Sequence, residues 1–216
     1  MRTLIVNSGE VAHLCLGEVR EPLTGDDMSD RSSNVYPPGH GILIERGIIV
    51  QITDSQSLIA EYAPGWEGQR DISAELSVID AGGRAIVPGF VDSHTHLLWG
   101  GDRSSEMRLR QSGLTYRQIA DLGGGIAKTV ASTRSMSIED LLSVGMSRLN
   151  HASSLGTTSM EVKSGYGLSV ESELRLLEAA DELSRHTRVN LFPTWLGGHD
   201  FPSDCTRSEY LDQLIS

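Results

Sequence analysis

The sequence predicts an α/β protein in which a small β-rich domain, residues 1–80, precedes βαβ units on a parallel sheet, residues 81–216. Three observations predict it. Short apolar segments separated by turn residues fill the first 80 positions. Beyond them, apolar segments alternate with amphipathic stretches of helical period. Three of the later apolar segments each run into a polar, glycine-bearing sequence: Asp92-Ser93-His94-Thr95-His96, Lys163-Ser164-Gly165-Tyr166-Gly167 and Gly197-Gly198-His199-Asp200. In parallel α/β folds, chemistry collects at the C-terminal ends of strands.

Thr3–Val6, Gly41–Glu45, Gly47–Ile52 and Leu76–Asp80 read as strands, with Glu45-Arg46-Gly47-Ile48 as a hairpin turn. The polar stretch Gly25–Gly39, rich in Ser, Asp and Pro, reads as a surface loop. Ala85–Val91 reads as a buried strand kinked at Pro88-Gly89. Thr115–Asp121 opens a helix, with Thr115 and Gln118 spaced as a capping box. Ser137 and Asp140 repeat that spacing at the next helix. Its Ile138, Leu141, Leu142, Gly145, Met146 and Leu149 share one face, and Gly156 stops it. Thr157–Val162 is a strand. Ser169 begins a helix whose apolar face carries Leu174, Leu177 and Leu183. Arg188–Leu196 is a third strand despite Pro193, and Glu209–Ile215 starts a further helix.

The length, 216 residues, suits one ordinary domain plus a small one, or a piece of something larger. Lys plus Arg number 18 against 29 Asp plus Glu, a net charge of −11. That excludes non-specific nucleic-acid binding, which requires basic surface. Cys15 and Cys205 lie far apart and outside any CxxC, so neither a disulfide framework nor a zinc ribbon is expected. A reducing cytoplasm is the expected setting. The N-terminal apolar run is too short for a signal peptide, and no run reaches a membrane span.

Among individual residues, His94 and His96 stand out. Positions i and i+2 at a strand end point to one side, so two imidazoles there can reach one ion. A bare HxH is weak evidence; here it follows an apolar strand and an aspartate, which makes metal ligation the expected role. Arg103 follows Gly100-Gly101, flexible glycines close to that pair, and a guanidinium grips a carboxylate in bidentate fashion. Tyr166, between glycines at a strand end, suits substrate binding rather than the core. Lys163 beside it reads as a buried, ion-paired lysine, the alternative being a lysine that bridges two metal ions. His199 suits polarising a substrate or handling a proton. Gly123–Thr129, GGGIAKT, lacks the glycine that a phosphate-binding loop needs before its lysine, and it reads as either a mobile loop near the site or a plain connector. There is no GxSxG and no cysteine in a nucleophile's context.

These segments resemble a known family. PGFVDSHTH after a small β domain is similar to the metal-dependent amidohydrolase superfamily. HTHLLWGGDRSSEM, the LGGGI segment, TTSMEVKSGYGL and the Gly-Gly-His element resemble its imidazolonepropionase family, which usually has Gly-Ala-His at the last. The match runs from Ala81 onward, and Gly25–Gly39 has no counterpart. The resemblance implies a (β/α)8 TIM barrel with a composite β-sandwich domain, of which this chain holds the N-terminal part and about three barrel strands. It implies hydrolysis of the ring amide of 4-imidazolone-5-propanoate to N-formimino-L-glutamate in histidine degradation, with one divalent metal ion, zinc or iron. His94 and His96 would be metal ligands, Arg103, Tyr166 and His199 would bind the anionic substrate, and His199 would also be catalytic. Full-length relatives would be homodimers. A complete barrel needs about 250 residues, so the further metal ligands, a His and an Asp, and a catalytic acid would lie outside this chain. By itself the chain is expected to be inactive. The alternatives are another cyclic amidohydrolase, a deaminase, or a non-catalytic half-barrel partner of the full-length enzyme.

Overall fold

The computed structural model describes residues 1–13, 23–68, 71–72 and 75–215; Cys15 lies outside them. The chain forms two compact units, Met1–Pro88 and Gly89–Ser216. The division falls beyond the composition change near residue 80. Ala81 N–H donates to Val6 O and Ile86 N–H to Glu10 O, both at 2.8 Å, so this segment belongs to the first unit. The expected single strand Ala85–Val91 is therefore split. Ile86 bridges Val11, and a new strand begins at Phe90.

The first unit contains β1 (Arg2–Val6), β2 (Val11–Ala12), α1 (Asp26–Ser29), α2 (Arg31–Asn34), β3 (Val35–Tyr36), β4 (His40–Glu45), β5 (Ile48–Asp54), α3 (Ser55–Tyr62), β6 (Asp71–Ile72) and β7 (Leu76–Asp80). Its main sheet has the order β5-β4-β1-β7-β6, with β1 antiparallel to β4 and parallel to β7. Alternation puts Leu4, Val6, Leu43 and Val78 on one face, where Leu58 of α3 covers them. A helix thus closes this face of the core. The Asp54 carboxylate caps α3 by accepting from Ser57 N–H. Gly25–Gly39 is not a bare loop: Asp30 caps α2, and β3 pairs antiparallel with β2.

The second unit contains β8 (Phe90–Thr95), α4 (Ser104–Gln111), α5 (Tyr116–Asp121), α6 (Gly125–Ser135), α7 (Ile138–Ser154), β9 (Thr157–Lys163), α8 (Val170–Ser184), β10 (Asn190–Thr194) and α9 (Arg207–Ile215). The three strands are parallel in the order β10-β9-β8, with helices in the connections. This is the expected partial α/β arrangement. The capping box at Thr115 and the Ser137 cap form as the spacing predicts. Pro193 is tolerated because β10 is an edge of this sheet.

Met160 and Val162 point from β9 into the main core with Leu141 and Leu149 of α7 and Leu176, Ala179, Ala180 and Leu183 of α8. The buried face of α8 thus differs from the expected one. Leu174 is 47% exposed, and the 176–180–183 spacing is what meets the sheet. The GGGIAKT segment is neither lid nor connector, because Gly125–Thr129 is the start of α6. The opposite face of β9 carries Glu161 and Lys163, and that polar face leads to the strand ends.

Candidate active site

The strand exits of the second unit bring four predicted rings together. His96 lies 4.7 Å from Tyr166 and 4.8 Å from His199, measured between ring centroids, and Tyr166 lies 5.7 Å from His199. His94, across from His96 at the end of β8, is 6.3 Å away with the rings edge-on. His94 and His199 are exposed, whereas His96 and Tyr166 are half-buried.

Several contacts hold these exits in register. Thr95 Oγ1 donates to Glu161 O at 2.6 Å, tying β8 to β9. Ser164 N–H donates to Thr194 O, and Leu196 N–H donates to Ser164 Oγ, tying β9 to the exit of β10. Gly165 has φ +114°, and a Cβ on it would stand 3.0 Å from His199 Cβ. Glycine is required there by both conformation and space. Just below, Lys163 Nζ donates to Glu161 Oε1 at 2.7 Å, and Thr194 Oγ1 donates to the same oxygen at 2.8 Å. Lys163 is thus an ion-paired lysine. The Glu161 carboxyl lies below its ordinary range, mainly because of the Lys163 bond.

Arg103 enters from the N-terminus of α4. With Trp99, Thr129 and Tyr166 it lines a small pocket of about 160 Å³. Its guanidinium already has a partner within the chain. Nε donates to Glu106 Oε1 at 3.0 Å, and Nη2 donates to Glu106 Oε2 at 2.8 Å. Glu106 is buried, and its Oε1 also accepts Gly125 N–H at the start of α6. This pairing fixes the plane of Arg103. Gly100 and Gly101 are not flexible spacers. A Cβ at Gly100 would meet Met136 Sδ at 2.6 Å and Ser132 O at 2.9 Å, and one at Gly101 would meet Ser132 Oγ at 2.6 Å. They allow the loop to lie directly on α6, which sets where Arg103 emerges.

The donor set fits part of a metal centre. Burial holds the His96 imidazole below its ordinary pKa, assisted by His199 and opposed by a hydrogen bond with the Ser164 main chain. The neutral ring is the form that ligates a metal. Its Nδ1 is buried without a hydrogen-bond partner. His94 supplies a second imidazole from the same strand end. Among the described residues, no group of three or more His, Cys, Asp or Glu side chains converges to hold an ion. The two histidines can offer two donors, and by themselves they do not make a complete set.

Sequence reasoning did not single out Glu106, Ser164, Arg134 or Glu173. Glu106 carried a faint signal, three residues after Arg103 in a helical stretch. Glu173 is one of several carboxylates near the start of α8, and only the fold separates it from the others.

Comparison with known proteins agrees with this geometry. A model of the amidohydrolase family matches residues 77–145. Among solved structures, a triazine hydrolase from Arthobacter aurescens superposes with a TM-score of 0.58 at 16% identity, over 99% of this chain and 41% of that one. An uncharacterized metal-dependent hydrolase from Pyrococcus furiosus gives a TM-score of 0.50 at 16% identity, over 90% of this chain and 50% of that one. In fold and over residues 77–145 the chain is thus similar to amidohydrolases.

Within that class the similarity is specific. The chain is 38% identical to the imidazolonepropionase of Symbiobacterium thermophilum over 98% of its length, covering 47% of that protein. It is 34% identical to the imidazolonepropionase of Bacillus velezensis over 99% of its length, again covering 47%. The chain spans about half the length of the curated relatives it matches.

Proposed function

We propose that the protein hydrolyses the ring amide of 4-imidazolone-5-propanoate to N-formimino-L-glutamate. The observation that carries the reading is the convergence of His94, His96, Tyr166 and His199 at the strand exits, in a chain that is similar, along nearly all of its own length, to about half of two imidazolonepropionases.

In this reading His94 and His96 hold a divalent ion, zinc or iron, together with donors beyond these two. Such an ion supplies a hydroxide near neutral pH from water and a Lewis acid for a carbonyl oxygen. His199 stands against His96 and the Tyr166 turn, where its imidazole donates a hydrogen bond to the carbonyl oxygen as negative charge develops there. The Tyr166 hydroxyl orients the ring. Arg103 presents the guanidinium edge not taken by Glu106 to the propanoate carboxylate, a charge-assisted contact that holds the ring amide in place. The same reading carries the full (β/α)8 barrel and β-sandwich of the family, and a cytoplasmic homodimer acting on an anionic small molecule.

The test is turnover of 4-imidazolone-5-propanoate by metal-loaded protein that carries the remaining metal donors as well as this chain, with N-formimino-L-glutamate detected by chromatography; the 216 residues alone should give none. Arg103→Gln should lower kcat/KM for this substrate by about 10²-fold, the loss of a charged hydrogen-bonded contact. It should leave hydrolysis of an uncharged cyclic amide unchanged. Equal loss on both substrates would sink the carboxylate assignment. Turnover of a cyclic amidine with ammonia release, and none of the imidazolone, would favour a deaminase.

A further inference from the structure

Tyr166 sits at the tip of the turn Ser164–Leu168, and two buried or half-buried charges grip that turn from opposite sides. Glu173, fully buried on α8, accepts three main-chain N–H bonds. Gly165 N–H donates to Oε2 at 2.5 Å, and Gly167 and Leu168 N–H donate to Oε1 at 2.8 and 2.7 Å. Arg134, on α6, donates to the carbonyls. Its Nε reaches Gly167 O at 2.6 Å, and Nη2 reaches Leu168 O at 2.7 Å, while Nη1 pairs with Asp204 at 2.7 Å.

The turn is not a conformation the chain adopts freely. Gly165 has φ +114° and Leu168, a branched residue, has φ +48°. A left-handed leucine is costly and persists where its surroundings over-determine it. Gly167 lies so close to α8 that a Cβ would meet Glu173 N at 2.7 Å. Leu168 is sunk between α6 and α9, against Val130 and Tyr210. Every one of these contacts falls on main chain or on Leu168, leaving the phenol of Tyr166 free to face His96 and His199.

We propose that Glu173 and Arg134 are positioning residues: an opposed-charge clamp that fixes the Ser164–Leu168 main chain and thereby sets Tyr166 and the packing of His199 on Gly165. The proposal deepens the hydrolase reading and rests on it for its catalytic consequence, but its structural content is separately measurable.

The experiment uses the whole protein with 13C-labelled tyrosine, the Tyr166 ring signals being assigned by Tyr166→Phe. In Glu173→Gln one acceptor oxygen becomes a donor facing an N–H. The Tyr166 ring shifts should move at least halfway toward those of the exposed Tyr116. Gly165 and Leu168 amide exchange should accelerate at least tenfold, with the amides of α7 unchanged. Arg134→Gln should move the same signals. Arg134→Lys, which keeps the charge and one carbonyl contact, should restore them in part, and this variant series decides the matter should Glu173→Gln not fold. On 4-imidazolone-5-propanoate the same variants should lower kcat at least tenfold with KM changed less than threefold. Unmoved Tyr166 signals in folded Glu173→Gln and Arg134→Gln would overturn the clamp, as would exchange that rises equally in α7. Signals that move as expected in a protein that carries the remaining metal donors and still shows no imidazolone turnover would support the clamp and sink the hydrolase reading instead.

Discussion

Among the described residues, Asn7, Arg46 and Leu168 are the non-glycine residues in the left-handed region, and the last two sit in turns held by different means. Arg46, φ +50°, is followed by Gly47, φ +82°, in the exposed hairpin between β4 and β5. That pair of positive φ values matches the twist of the flanking strands, so the ladder itself selects the turn. Leu168, φ +48°, lies in no hairpin. It is buried, and a carboxylate, a guanidinium and an apolar pocket hold the turn around it. The first turn follows from a local rule. The second is imposed by residues far off in sequence, which is the arrangement expected where a side chain must be presented rather than merely connected.

The largest effect should come from removing the carboxylate. Glu173→Ala leaves three buried N–H groups without acceptors, at about 1–3 kcal/mol each. Urea denaturation should show a loss of about 3–9 kcal/mol, a large fraction of the roughly 5–15 kcal/mol that holds a domain folded. A loss below about 1 kcal/mol would mean that water replaces the carboxylate and that the turn needs no clamp. Leu168→Asn comes next. It favours the backbone conformation but empties an apolar site, and removing a buried leucine costs about 2–5 kcal/mol. A gain in stability there would show that backbone strain, not packing, dominates this turn.

How much of this was legible follows from how local each feature is. The helix starts at Thr115, Ser137 and Ser169 were readable because a cap is written within four residues. The hairpin at Arg46-Gly47 was readable for the same reason. His94, His96, Tyr166 and His199 were legible as strand-end polar residues, and the fold brings their rings together. The clamp was not legible. Glu173 is one of four acidic residues between Glu171 and Asp181 that differ only in which way α8 faces the turn. Helix α6 was missed because Gly123-Gly124-Gly125 looks like a breaker, whereas the Glu106 carboxylate accepts Gly125 N–H and starts the helix. The buried face of α8 was misplaced because leucine content outweighed the alanines that touch the sheet.

A further buried site, Glu106, sets compensation by a cation against compensation by amides. Glu106 is held by Arg103, whose two bonds keep its carboxyl below the ordinary glutamate range against the opposing effect of burial. The lowered pKa fixes the sign. The contribution is fully present above the ordinary value of 4.5 and is lost as pH falls through the lower folded value. Between about pH 5 and pH 3, the wild-type urea midpoint should therefore fall more steeply than that of Glu106→Gln, which cannot titrate there. Parallel curves would mean that solvent screens the Arg103 pair.

The smallest effect, and the one of opposite sign, belongs to the exposed turn. Arg46→Asn keeps a polar surface residue and introduces the side chain that tolerates the left-handed region best after glycine, immediately before Gly47. No clamp holds this position, so backbone preference decides the outcome, and the gain should be about 0.5–1 kcal/mol. The thermal midpoint should rise by a few degrees if the first unit unfolds with the rest, and only in the transition of Met1–Pro88 if it does not. The same residue change then stabilises at Arg46 and destabilises at Leu168, although the two φ angles differ by two degrees. If Arg46→Asn were also destabilising, the Arg46 side chain would have to make a stabilising contact of its own, and the distinction between a turn set by its ladder and a turn set by distant charges would fail.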